Sequence, residues 1–120
     1  MNGRVDLNGR ALLTVEVRTA QDAPALPLEA WIDTGFTGEL VMPRAQIQGL
    51  NLKRGLMVHA ILGDGRKSRM DTFVAWIDWF GELREVEVIA SEDRSTLLGV
   101  GLMLSHRLVV DYRTLQVTLD

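Results

Sequence analysis

The sequence predicts a mainly-β domain: a barrel or sandwich of many short strands, with one or two short helices. Three observations carry that expectation. Apolar residues recur with a period of two, turn residues separate the alternating runs, and helical spacing is scarce. Leu13, Val15 and Val17 alternate with Thr14, Glu16 and Arg18, as on a strand with one face buried. Val86 and Val88 alternate with Glu85 and Glu87 in the same way, and Leu115, Val117 and Leu119 with Gln116 and Thr118. Asn8-Gly9, Gly63-Asp64-Gly65 and Phe80-Gly81-Glu82 have the chemistry of hairpin or tight turns. Gln21 to Pro27 holds two of the three prolines and reads as a loop. Pro43 suits the first turn of a short helix over Arg44-Ala45-Gln46-Ile47, and Gly101 to Ser105 suits a second.

The chain's 120 residues suit one domain, 1–120, and 47% hydrophobic residues are enough for a core. The longest apolar run, Leu97 to Leu104, is broken by two glycines and is far too short to span a bilayer. No apolar h-region follows Arg4, so the expectation is no signal peptide, no membrane partner and a cytoplasmic location. With no cysteine there is no disulfide, thiolate metal site or cysteine nucleophile. A net charge of -3 argues against a nucleic-acid partner, and Arg66, Lys67 and Arg69 read as a solvated hairpin face. His59 and His106 lack ligand spacing, so neither a metal nor another cofactor is expected.

The segment that bears chemistry is Ala30-Trp31-Ile32-Asp33-Thr34-Gly35-Phe36-Thr37-Gly38. An apolar strand delivers a carboxylate, then a hydroxyl residue, then glycine. A second strand follows from Glu39 through Leu40, Val41 and Met42 to Pro43. Such a tripeptide arises by chance in roughly a few per cent of chains this long. Alone it leaves two readings open: a chemical site, or an Asx turn in which Asp33 caps backbone donors. Further along, Thr96-Leu97-Leu98-Gly99-Val100-Gly101-Leu102 is an apolar strand that stops at glycine and enters a short helix. A hairpin lies between, from Leu56 to Ile77, with Gly63-Asp64-Gly65 at its tip.

That order resembles the retroviral-type, or retropepsin-like, aspartic proteases over nearly the whole chain. Asp-Thr-Gly followed by Phe36 is most similar to their bacterial members. The C-terminal part, with Leu108-Val109-Val110-Asp111, a turn over Tyr112-Arg113-Thr114 and a strand over Leu115 to Leu119, resembles the retroviral-like domain of DNA-damage-inducible ubiquitin-shuttle proteins. The resemblance implies a single-lobe acid-protease fold, a closed β-barrel, and an aspartic endopeptidase acting on a peptide or protein. Asp33 would be the catalytic carboxylate. The Thr34 hydroxyl would bond across a dimer axis, and the Gly35 amide would face a carboxylate oxygen. Gly63, Asp64 and Gly65 would form a flap over substrate, and Leu97, Leu98 and Gly99 would pack beneath the catalytic strand. Trp31, Trp76 and Trp79 are expected to pack in the core or flap base, Asp111 to be structural, and Asp78 and Asp93 to be solvated.

Peptide hydrolysis through two carboxylates works because like charges close together share one proton, leaving one base and one acid. The chain has a single Asp-Thr-Gly, so under this resemblance the second carboxylate, Asp33', comes from a second copy in a homodimer. Two departures stand out. Phe36, Thr37 and Gly38 replace the small residue and acids usual after the motif, so Phe36 either fills part of the binding cleft or packs in the core. Val100 replaces the arginine usual after the second glycine, so a different contact must support the dimer. A non-catalytic peptide-binding or dimerisation module of the same fold is the alternative. An unrelated small ligand-binding barrel is more distant.

Overall fold

The computed structural model describes residues 1–56, 58–61 and 65–120. Strand β1 (Asn2–Val5) pairs antiparallel with β2 (Ala11–Arg18) through Arg4↔Leu12 and Val5↔Ala11. Gly9, at φ 79°, takes the left-handed conformation their turn needs. The alternation in β2 is as the sequence predicts, with Leu13, Val15 and Val17 each 1% exposed. Strand β3 (Leu26–Ile32) runs back along β2, from Val17↔Leu26 to Leu12↔Trp31. It begins before Pro27, so the expected loop is two residues too long at its end. Pro27 stands opposite Glu16, whereas the second neighbour of β3 reaches only Trp31 and Ile32, so no further ladder needs the missing N–H.

Strand β4 (Leu40–Pro43) leads into α1 (Arg44–Leu50), which buries Ile47 and ends at Asn51 with φ 54°. Pro43 caps this helix rather than lying in its first turn. After the two-residue β5 (Lys53–Arg54), β6 (Val58–Ile61) and β7 (Lys67–Met70) form the expected hairpin, in register Val58↔Met70 and Ile61↔Lys67. Of the expected flap tip, Gly63 and Asp64 lie outside the described residues; Gly65 has φ 85°. Strands β8 (Thr72–Trp79) and β9 (Glu82–Ser91) meet at Phe80 and Gly81, with φ 50° and 83°. Two positive φ values are what a two-residue turn matched to strand twist requires.

Strand β10 (Leu97–Leu98) enters α2 (Val100–Met103). This helix lies earlier than the predicted Gly101 to Ser105, because Leu104 is already extended and Ser105 turns left-handed at φ 69°. Strands β11 (Leu108–Asp111) and β12 (Gln116–Leu119) close the chain as an antiparallel hairpin. Leu115, expected in the last strand, is a turn residue with φ 60° and 48% exposure. Asp111 Oδ1 gathers the amides of Arg113 and Thr114 at 2.8 and 3.3 Å, which winds the turn as far as Leu115.

The sheet order is β11-β12-β1-β2-β3-β10-β4-β9-β8-β5, and β8 also pairs with β2. Strands β2, β3, β10, β4, β9 and β8 therefore form a cycle of pairings around Leu13, Leu40, Ile77, Val88 and Leu98, all at most 1% exposed. Each such side chain contributes about 1.5–3 kcal/mol by leaving water. Where β8 meets β2, Asp78 accepts Arg18 Nε and Nη2 at 3.2 and 3.0 Å. Asp78 is thus paired across the seam and not simply solvated. No helix among the described residues is long and apolar enough to cross a membrane.

Candidate active site

Two chain reversals meet at the centre of the cycle. The first is the Asp33 turn between β3 and β4; the second is the Gly99 turn between β10 and α2. Strand β10 is wedged between the strands of the first turn, parallel to β3 (Leu98↔Ile32) and antiparallel to β4 (Leu98↔Leu40). Backbone bonds then stitch the turns together. Asp33 N donates to Leu98 O at 2.9 Å, Gly99 N to Glu39 O at 2.8 Å, Val100 N to Phe36 O at 2.8 Å and Gly101 N to Gly38 O at 2.9 Å. Leu98 is wholly buried beneath the site.

Glycine is required at this crossing. A Cβ on Gly99 would stand 2.2 Å from Gly38 O and 2.5 Å from the Phe36 ring, distances no side chain tolerates. One on Gly38 would stand 2.4 Å from the same ring. The half-buried Phe36 ring therefore lies over Gly38 and Gly99, which accounts for a large aromatic directly after the motif.

Asp33 is half-buried. Its Oδ1 accepts the Gly35 amide at 2.9 Å, and a Cβ on Gly35 would press on that oxygen at 3.2 Å. Among the described residues, Oδ2 has no hydrogen-bond partner. Thr34 is exposed and its hydroxyl likewise has no partner among the described residues. Both residues line a cavity of about 680 Å³ together with Trp31, Val41, Arg94 and Leu97. The arrangement presents a carboxylate to a cavity lined by both apolar and polar side chains, which suits a peptide backbone flanked by side chains. Phe36 does not line this cavity.

Three features of the site escape the sequence reading. Trp31 is 40% exposed and lines the cavity rather than the core. The signal was available: Ala30 and Ile32 are buried, so a period of two puts Trp31 on the other face. Trp79, by contrast, is buried as expected. Asp93 and Arg94 also line the cavity, placed there by the turn after β9, and nothing local in the sequence marks them. Glu39 and Arg84 form a partly buried ion pair at 2.9 Å beside the two turns, joining residues 45 apart in sequence.

No family model matches the chain, and no curated protein matches it. Solved structures do. The retropepsin-like aspartic protease from Rickettsia conorii superposes with a TM-score of 0.65 at 13% identity, over 99% of this chain and 88% of that one. EIAV protease complexed with the inhibitor HBY-793 gives 0.56 at 22% identity, over 83% and 90%. The retroviral protease-like domain of a Leishmania major protein gives 0.48 at 16%, over 91% and 88%. The first two likenesses extend over most of both chains. The chain therefore has the fold of the retropepsin-like aspartic proteases.

Proposed function

We propose that residues 1–120 form one retropepsin-like domain of the bacterial Asp-Thr-Gly-Phe kind, with its six-strand cycle a closed barrel, and that it is an aspartic endopeptidase. The observation that carries this reading is the Asp33 carboxylate, with one oxygen held by Gly35 and the other unbonded among the described residues, on the wall of a peptide-sized cavity. The second carboxylate is Asp33' of a second copy, since the sequence contains one Asp-Thr-Gly. The ionised member of the pair takes a proton from water, whose oxygen attacks the scissile carbonyl carbon. The protonated member gives its proton to the carbonyl oxygen. When the tetrahedral intermediate collapses, the C–N bond breaks and the amine leaves with the proton held by one carboxylate. The other carboxylate takes a proton from a gem-diol hydroxyl, which restores the singly protonated pair. No metal or other cofactor takes part.

Thr34 binds across the dimer axis, which fits its exposed hydroxyl without a partner among the described residues. By the family resemblance, Gly63, Asp64 and Gly65 serve as the flap over substrate, while Phe36, packed over Gly38 and Gly99, supports the wall of the cleft from behind the motif. The C-terminal hairpin, Leu108 to Leu119, belongs to the homodimer interface. Supporting this, β11 is the outermost strand of the sheet, and Leu104, Val109 and Tyr112 are 67%, 43% and 66% exposed. The location is cytoplasmic, with a peptide or protein as substrate and neither nucleic acid nor membrane as partner.

The test is cleavage of a peptide library read by mass spectrometry, wild type against Asp33→Asn. Cleavage by the wild type alone supports the reading. Binding without cleavage would leave a non-catalytic peptide-binding module. On the same samples, analytical ultracentrifugation should show a dimer, and a fully active monomer would contradict the shared pair.

A further inference from the structure

We propose that Glu39 and Arg84 are positioning residues for the Asp33 turn, acting through the Gly38–Glu39 backbone and the first turn of α2. The proposal rests on the protease reading of Asp33. Glu39 lies where the turn re-enters the sheet, just before β4, and its side chain is 23% exposed. Its two carboxylate oxygens are both used: Oε1 accepts the Glu87 amide at 2.9 Å and Oε2 accepts Arg84 Nη2 at 2.9 Å. The same Arg84 nitrogen reaches Gly101 O at 3.3 Å. Meanwhile Glu39 O receives the Gly99 amide and Gly38 O receives the Gly101 amide. One carboxylate and one guanidinium thus join three segments: the end of the Asp33 turn, β9 and α2.

Arg84 shares the strand parity of Val86 and Val88, which point into the core. The Arg84 side chain is 41% exposed, so it is the bonds to Glu39 and Gly101 O that hold its guanidinium against the turns, and a charge-assisted bond is stronger than a neutral one. The packing is close as well, since a Cβ on Gly101 would meet Glu39 Cγ at 3.2 Å. The opposite end of the Asp33 turn is fixed by the bonds to Leu98 and Val100. Without the clamp, the Gly38–Glu39 end would keep its backbone bonds and the β4–β9 ladder that starts at Leu40↔Val88, but lose the side-chain tie to Arg84. Sharing a proton across a two-fold axis depends on placement to a fraction of an ångström, so a small drift here lowers turnover.

The variants are Glu39→Gln, Arg84→Met and Arg84→Lys, measured as full-length dimers well below their melting temperatures on a peptide the wild type cleaves. Glu39→Gln keeps an acceptor for the Glu87 amide and removes the charge facing Arg84. The expected result is a kcat lower on the order of tenfold to a hundredfold in Glu39→Gln and Arg84→Met, with KM little changed. Arg84→Lys recovers part of the loss. The Gly99 and Gly101 amides exchange with solvent faster in both low-kcat variants. An unchanged kcat, even with a lower melting temperature, would make the pair merely structural and overturn the proposal, as would a rise in KM alone. Failure of the protease reading looks different: the wild type itself would cleave nothing. Amide exchange then decides the clamp, and unchanged protection at Gly99 and Gly101 would overturn it too.

Discussion

Asp6, Asp111 and Asp33 each stand at the end of a strand and bond the amide two residues on, yet they do different work. At Asp6, Oδ1 takes the amides of Asn8 and Arg10, both at 2.9 Å, and Oδ2 takes Arg10 Nε at 2.7 Å. At Asp111, one oxygen takes two amides. The amide bond from Arg10 is the main influence holding the Asp6 carboxyl below the ordinary value, and the bond from Arg113 does the same for Asp111. In those two turns the carboxylate gathers two amides, at Asp6 alongside the backbone bonds from Asp6 N to Arg10 O and from Gly9 N to Asp6 O, both 3.0 Å. At Asp33 the balance shifts toward the backbone. Bonds to Leu98, Phe36 and Val100 hold the backbone, and the carboxylate spends one oxygen on one amide. A carboxylate that keeps one oxygen unbonded among the described residues can serve chemistry as well as its turn. The same residue type in nearly the same local turn is thus told apart by what else supports it.

The largest expected effect breaks the support of the Asp33 turn without touching the carboxylate. Gly99→Ala puts a methyl group into Gly38 O and the Phe36 ring, so the crossing of the two turns cannot form. The prediction is loss of cleavage together with loss of the cooperative thermal transition, read by circular dichroism. A fully active, stable Gly99→Ala protein would mean the backbone stitching is not what holds Asp33.

A second prediction sharpens the contrast in acid. Cleavage rate should be bell-shaped in pH with an acidic-to-neutral optimum, because one member of the Asp33 pair must be charged and the other protonated. A rate climbing steadily into alkali would contradict the pair.

The smallest effect belongs to the two caps. Their carboxyls are lowered in the folded protein, so the stability they give is present above the ordinary value of 3.8 and is lost as pH falls through the lowered one. Asp6→Asn or Asp111→Asn should lower the melting temperature by a few degrees at neutral pH, and the gap should close at strongly acidic pH. Cleavage should be unchanged. Reduced turnover with unchanged melting in either variant would blur the distinction between cap and catalyst.

Much of the fold was legible because its signals are local. Period-two alternation located β2, β9 and the end of β12, and the Phe80-Gly81 and Asn8-Gly9 turns stand where their chemistry puts them. The order of the Asp33 and Gly99 segments pointed to the site. What escaped depends on neighbours distant in sequence. Pro27 reads as a loop until β3 is seen to have only one partner beside it. Leu115 continues the apolar alternation, but the Asp111 cap takes it into the turn. Val100 stands where the family resemblance has an arginine, and the sequence could say only that a different contact must support a dimer. Arg84 reaches the Gly101 carbonyl from β9, a contact visible only once the strands are in register.

The most direct measurement is Asp33→Asn, with cleavage rate and melting temperature taken on the same dimeric sample. Asn nearly matches Asp in shape and still accepts the Gly35 amide, so the turn should survive. It cannot act as a base, and one substitution removes both carboxylates of a symmetric pair. The account predicts cleavage at background, a fall of about a thousandfold or more, with a melting temperature equal to the wild type or higher because two carboxylates no longer face each other. Unchanged cleavage, or a melting temperature that falls as it does for Asp6→Asn, would contradict it and return Asp33 to the role of a cap.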